Sequence, residues 1–451
     1  MGKNWRSPAS RWAGAVVLLG VAACESDSIT ASAPFTLASL TADSVFVGRT
    51  VRVVALSSFD NAVITAAPLA WSSTDTSVAR VTTNGTIIGV GVGRVTITGT
   101  LDGRALSTNI RVVPRRVDGG ALLALSAPGA GAMCALRTDG APVCLPATSL
   151  DSSSLMSAWA GATGLRLATL HTAESHSCGL SATGTMYCAG VNAYGQLANG
   201  HTSTQRVAAP FETGSGLPYR FVSVGGSEAI GFTCAIRAAD SVVVCAGRNL
   251  GYQTGHTPLS DYDTLFAPVT GSLKALTVST GRNHSCAVAL DHSLSCWGAN
   301  DHALFGVPTT TVSQTHVPQR IPGGTTYRFV SSGSHTCAVS TADELSCWGS
   351  NASGQLGIGS LDTLPHSTPQ RIDLGAPVNT VTAGNGFTCA LTTAGRLHCW
   401  GAIPINADFV AVLGSARYAP VRLANGIDFQ SISANARQIC GVTTDGRGIC
   451  L

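Results

Sequence analysis

Gly333-Ser334-His335-Thr336-Cys337-Ala338-Val339, a polar break at Thr341-Ala342-Asp343-Glu344, and then Leu345-Ser346-Cys347-Trp348-Gly349-Ser350-Asn351-Ala352-Ser353-Gly354-Gln355-Leu356-Gly357-Ile358-Gly359 form the stretch that decides the fold. Two short apolar, β-prone runs around a polar break read as a tight hairpin whose cysteines face each other. The frame recurs at Cys286/Cys296 and Cys389/Cys399, more loosely at Cys134/Cys144, Cys178/Cys188 and Cys440/Cys450, and with one extra residue at Cys234/Cys245. First cysteines fall at 134, 178, 234, 286, 337, 389 and 440. A period of about 50 residues made of strands and turns is the signature of a β-propeller, so an all-β chain with seven blades is predicted.

Composition sets the outer limits. Charged residues are only 11% of the 451 positions and hydrophobic ones 45%, so solubility rests on Ser, Thr, Asn and Gly. The net charge of +3 is carried by Lys3, Arg6 and Arg11. Without them, 24 basic residues balance 24 acidic ones. No basic tract is left to attract nucleic acid or anionic lipid.

The first residues read as an export signal: a positive region, the apolar run Ala13 to Ala23, then Cys24. That run is too short to span a bilayer, which takes about 20 residues. Val21-Ala22-Ala23-Cys24 resembles the lipobox of bacterial lipoproteins, and Cys24 is the cysteine left over from the seven pairs. Residues 1–23 are therefore expected to be a lipoprotein signal peptide, Cys24 the lipidated residue and 24–33 a polar tether. Acyl chains would anchor the protein to a bacterial membrane, on the periplasmic side of the outer membrane or at the cell surface, without a membrane span.

Between 34 and 114 lie six or more short alternating runs and the hairpin signal Asn84-Gly85, which predict a β-sandwich. Trp71-Ser72-Ser73, Val78-Ala79-Arg80-Val81 and the glycine-spaced run to Ile97 resemble the group 2 bacterial immunoglobulin-like domain. The resemblance implies a fold, a spacer or adhesive role and a core position for Trp71.

From 115 to 451 each unit opens on a Pro-led strand such as Pro318-Gln319-Arg320-Ile321 or Pro369-Gln370-Arg371-Ile372, continues with a strand ending in Gly, and closes with the cysteine hairpin. Proline suits the outermost strand because an edge can spare one donor. Gly-x-x-His-x-Cys-Ala-Val, Cys-Trp-Gly-x-Asn and Gly-Gln-Leu-Gly-x-Gly make this unit similar to the repeat of the regulator of chromosome condensation family, which implies a seven-bladed propeller. Departures are Ala189-Gly190 and Ala246-Gly247 in place of Trp-Gly, and Leu145-Pro146 in the first unit. The last unit ends at Leu451 without an outer strand, whereas Pro114-Arg115-Arg116-Val117 has no earlier unit to complete. Residues near 112–117 are therefore expected beside the Cys440–Cys450 hairpin.

Zinc would need ligand pairs two to four residues apart. Nine intervening residues instead suit cross-strand disulfides at Cys134/Cys144, Cys178/Cys188, Cys234/Cys245, Cys286/Cys296, Cys337/Cys347, Cys389/Cys399 and Cys440/Cys450. Trp297, Trp348 and Trp400 recur once per unit and are expected between blades. His176, His284 and His335 occupy a position that is Phe232 or Phe387 elsewhere, which marks packing. Asn300 and Asn351 are expected to bond loop backbone.

No hydrolase, metalloprotease, phosphate-loop or calcium-loop motif occurs, so no catalytic, cofactor or metal residue is assigned. The expected function is a lipid-anchored, monomeric scaffold whose propeller loops bind a protein, an enzyme included, or a glycan at the cell envelope. The alternative is an extracytoplasmic hydrolase or lyase working at the central opening. Nucleotide exchange on a small GTPase, implied by the family's founding member, does not fit an exported chain.

Overall fold

In the computed structural model the described residues are 35–39, 44–46, 50–57, 69–101, 104–113, 115–117, 122–126, 133–145, 159, 162, 164–213, 216–227, 230–257, 261–404, 417–434 and 439–451. Cys24 and its surroundings lie outside them. Every named element among them is a strand, as alternating, β-branched sequence with glycine turns dictates.

The N-terminal unit is a sandwich of two four-stranded sheets. One runs in the order Phe35–Ser39, Thr50–Ser57, Thr86–Gly89, Ala79–Val81; the other in the order Ser44–Phe46, Arg104–Val113, Gly93–Leu101, Ala70–Ser73. Val53, Ile87, Ile97, Ile110 and Val112 form its core. Trp71 is half-buried at the margin of that core, in a slot left by two glycines. A Cβ on Gly85 or Gly99 would come within 3.0 Å of its ring. Gly85 also carries the positive φ of the Asn84-Gly85 turn.

From residue 115 onward seven sheets follow one another. The fourth shows the plan: Ala275–Thr280 innermost, His284–Ala289, Leu294–Ala299, and Gln314–Arg320 outermost, all antiparallel. The inner strands of successive sheets lie against each other. Outer edges are blunted locally. Pro318 removes a donor, Thr315 Oγ1 accepts from Val317 N, and Gln319 Nε2 donates back to Val317 O. Gln370 donates to Thr368 O in the same way beside Pro369, so neither edge offers a clean row of free groups.

The first and seventh sheets differ from this plan. The first has three described strands, Leu122–Ser126, Met133–Arg137 and Pro142–Leu145. The seventh has Phe429–Ala434, Ile439–Thr443 and Gly448–Cys450, and its outer strand is Arg115–Val117, with Arg116 opposite Ile449. The pairing expected from the chain ends is thus found. Leu122 and Ala135 pack with Cys440, Val442 and Cys450, which brings the last sheet against the first.

The sandwich is also packed where the sixth sheet joins the seventh. Val92 N donates to Asn425 O at 3.0 Å and Asn425 Nδ2 to Ser77 O at 3.3 Å. Ile88 and Val90 share a buried cluster with Leu423, Ala424 and Ile449. Gly91 permits this approach, since a Cβ there would lie 2.8 Å from the Asn425 Cβ.

Candidate functional site

Strand direction sorts the connections of each sheet onto two faces. Turns between the second and third strands are short, as at Leu290-Asp291-His292 and Thr341-Ala342-Asp343. Turns between the first and second strands lie on the opposite face, together with the connections from third to outer strand. These connections are long and differ from sheet to sheet: 193–202, 249–261, 300–313 and 350–365. One face is therefore closed by tight hairpins and the other is built of variable loops around the central opening.

Each loop is pinned by an asparagine at its root. Asn300 Oδ1 accepts from Phe305 N while its Nδ2 donates to Val307 O and Val312 O. Asn351 does the same with Leu356 N and Ser360 O. Asn192 and Asn249 repeat the device in two sheets where Trp-Gly is replaced. With both ends of each amide engaged, burying these side chains is inexpensive and the loop root is fixed.

Side chains then tie each sheet to its neighbour. Trp297 Nε1 donates to Gln253 O, Trp348 to Leu304 O and Trp400 to Gln355 O, so each indole reaches the preceding sheet's loop. The histidines reach forward: His176 Nε2 meets Thr233 Oγ1 at 2.8 Å, His284 meets Thr336 at 3.1 Å and His335 meets Thr388 at 2.6 Å. All three rings are buried, and burial pushes their pKa down to about 3, so they are neutral bonds between sheets. Phe232 and Phe387 fill the same place by packing alone.

A third tie is absent from the residues singled out in the sequence. Ser223 Oγ accepts from Thr280 N, Ser279 Oγ from Ser332 N and Ser331 Oγ from Ala383 N, each across to the next sheet at 2.9 to 3.1 Å. The signal was the recurrent Val-Ser-x-Gly at 222–225, 278–281 and 330–333.

Six cysteine pairs are joined within their own hairpins, with Cα atoms 4.0 to 4.1 Å apart. Cys178 is bonded to Cys188, Cys234 to Cys245, Cys286 to Cys296, Cys337 to Cys347, Cys389 to Cys399 and Cys440 to Cys450. Cys134 is disulfide-bonded too and stands opposite Cys144 in the register. The extra residue between Cys234 and Cys245 is absorbed in the turn, where Ser241 takes a positive φ, so these two still stand directly opposite each other. None of these cysteines lines the cavity on the loop face. Cys245, Cys296 and Cys399 lie on the third strands of their sheets and are wholly buried there among apolar side chains. The bonds staple the scaffold and take no part in the candidate site, whose surface is left to other residues.

The central opening on the loop face holds a cavity of about 330 Å³, rimmed by Glu174, Gly225, Gly226, Arg282, Gly333 and Asn385. Backbone bonds such as Gly226 N to Gly281 O and Ser334 N to Gly384 O stitch neighbouring sheets around it. Its described lining has one carboxylate, Glu174, and includes none of the sheet-bridging histidines. Among the described residues no cluster of His, Cys, Asp or Glu could hold a metal ion.

Models of the regulator of chromosome condensation repeat match residues 344–391 and 174–196. The chain contains regulator of chromosome condensation repeats. Residues 34–112 match the group 2 bacterial immunoglobulin-like domain. The ultraviolet-B receptor UVR8 of Arabidopsis thaliana is 26% identical over 56% of this chain and 54% of its own length. The probable E3 ubiquitin-protein ligase HERC6 of Homo sapiens is 26% identical over 54% of this chain and 24% of its own length. The chain thus spans about half of the first of these relatives and a quarter of the second. Among solved structures, yeast RCC1 (Prp20) bound to Kap60 superposes with a TM-score of 0.59 at 14% identity, covering 85% of this chain and 89% of that one. Human WBSCR16 gives 0.59 at 15% identity, covering 76% and 90%. These likenesses establish an all-β propeller with an immunoglobulin-like unit before it.

Proposed function

We propose that this protein is an exported, lipid-anchored binding scaffold: a signal peptide over 1–23, acylated Cys24, a tether to residue 33, an immunoglobulin-like domain over 34–114 and a seven-bladed propeller over 115–451 whose loop face takes a protein or glycan partner at the cell envelope. The inequality of the two faces carries this reading. Tight hairpins close one, while the other sets long, unlike loops on pinned roots, the way variable recognition segments are mounted on a rigid frame. Buried cross-strand disulfides support an oxidising compartment. The relatives support protein binding, since yeast RCC1 is in complex with Kap60 and Prp20p from Saccharomyces cerevisiae has binding properties to Gsp1p and histones. The partner chemistry here depends on this chain's own loops.

Two measurements test the reading. Mass spectrometry of the membrane fraction should find a mature chain beginning at diacylglyceryl-Cys24, and an unmodified chain with another start refutes the anchor. Crosslinking in intact cells through photoreactive groups placed in the 249–261 or 350–365 loops should trap a partner. Equal crosslinking from the hairpin turns at 290–292 and 341–343 would refute the choice of face.

A further inference from the structure

One cluster on the loop face belongs to none of the ties that build the ring. Tyr194 stands in the loop of the second sheet, while Arg248 ends the third strand and Tyr262 begins the outer strand of the third sheet. The Arg248 guanidinium lies over the Tyr194 ring, 4.3 Å from its centroid, and the Tyr262 ring is tilted against Tyr194 at 6.4 Å. Leu250 keeps 54% of its surface exposed, and Leu265, beside Gly200, keeps 57%. Tyr252, from the same loop as Leu250, meets the His316 ring of the fourth sheet at 5.6 Å. The cluster bridges three sheets, over loop roots fixed by Asn192 and Asn249.

Its charge is unanswered among the described residues. Among the described residues no carboxylate forms an ion pair with Arg248. Of the two acids at the start of the neighbouring outer strand, Asp263 is engaged by His256 and Thr254 Oγ1, and Asp261 makes no pair with Arg248. A guanidinium held over an aromatic ring keeps its N–H edge free, which is the geometry that receives a carboxylate in bidentate fashion. Tyrosine and arginine are residue types enriched in interface hot spots, and the exposed leucines set apolar surface beside them. Two half-exposed leucines offer a sugar little, but they suit an apolar side chain.

We propose that this patch docks a protein segment carrying a carboxylate next to a large apolar side chain, the carboxylate on Arg248 and the apolar group against Leu250 and Leu265. The proposal rests on the scaffold reading and names the partner's chemistry at one part of the loop face.

The test is selection of a phage-displayed random dodecapeptide library on the detergent-solubilised full chain. Enriched sequences should place Asp or Glu within a few residues of Leu, Phe or Trp. Their synthetic forms should lose about tenfold or more in affinity on Arg248→Gln. Changing the peptide's acid to its amide should cost as much on the original chain and nothing further on Arg248→Gln, a cycle that a merely misfolded variant would not reproduce. Leu250→Ser should also weaken binding. Enriched peptides that bind equally to both variants would overturn this patch and leave the scaffold reading standing. Glycan-array binding abolished by Arg248→Gln, without enriched peptides, would overturn the protein partner in favour of a sugar. Failure of peptides and glycans alike to bind any part of the loop face would overturn both readings.

Discussion

The third to sixth sheets and the seam between the seventh and first are held by different side chains. At each of the three junctions between the former, the later sheet sends an indole back and the earlier one a serine forward, joined by a histidine at the last two, so the same few bonds are repeated. At the seam, Leu122 N donates to Gly446 O as Tyr327 N does to His292 O at an inner junction, but the side-chain contacts are apolar packing of Leu122 and Ala135 on the last hairpin, and that hairpin's sheet is completed by a strand borrowed from the other end of the chain. Repeated sequence can encode only neighbour relations that repeat. Beyond the shared backbone bond, the junction where the ring meets itself therefore draws on non-repeated residues.

The borrowed strand gives the largest expected effect. A chain starting at Asp118 should melt well below one starting at Ala105, by about 3 kcal/mol or more, because it loses a ladder and exposes a sheet edge. Equal melting temperatures would show that Arg115–Val117 contributes nothing to closure. Cys337→Ala paired with Cys347→Ala should cost about 2 to 3 kcal/mol, yet the protein should still fold, since a hairpin staple restrains a short loop. Complete loss of folding would mean that blade order depends on it. Next, Gly91→Val should cost about 1 to 3 kcal/mol by pushing the sandwich off Asn425. Limited proteolysis should then cut between the two units, and an unchanged digestion pattern would show the docking to be loose already.

The effect that is smallest at neutral pH separates the two modes of junction by its growth in acid. His176, His284 and His335 have folded pKa values of about 3, below the value near 6.5 of an unfolded chain. Between those limits the unfolded state binds more protons, so stability is full above about pH 6.5 and falls as pH drops toward 3. The slope reaches up to about 1.4 kcal/mol per histidine per pH unit. Replacing all three by Phe, the residue that fills this place at 232 and 387, should cost little at pH 7.5 and flatten the acid limb of the melting-temperature profile. An unchanged acid limb would place the sensitivity elsewhere.

The inner sheets were largely legible in the sequence because their determinants are local and periodic. Cysteine spacing, Trp-Gly and the proline of the edge strand each recur in register. Even the acceptors of the histidines were visible: Thr233, Thr336 and Thr388 all stand one residue before the first cysteine of the next unit. Their meaning needed the ring, since a repeat read alone does not show which residue of its neighbour it meets. Asn425 against Ser77 and Val92 could not be read at all, because nothing in either segment repeats and Gly91 looks like any turn glycine. The Tyr194, Arg248 and Tyr262 cluster escaped for a related reason, as its members come from different units at unmatched positions.

Because Arg115–Val117 completes a sheet whose other strands end at Cys450, the order of synthesis acquires a kinetic cost. A chain emerging N-terminus first presents this strand early and must keep it unpaired while nearly all of the propeller follows. Joining residues so far apart in sequence adds only slowly to the closure entropy, yet it places the final step at the end of the folding pathway and makes it slow. Until then the partly built ring offers two raw edges to other chains. Hairpins that oxidise one by one as they appear would hold each finished blade during that wait, so the staples guard the intermediate as much as the native state.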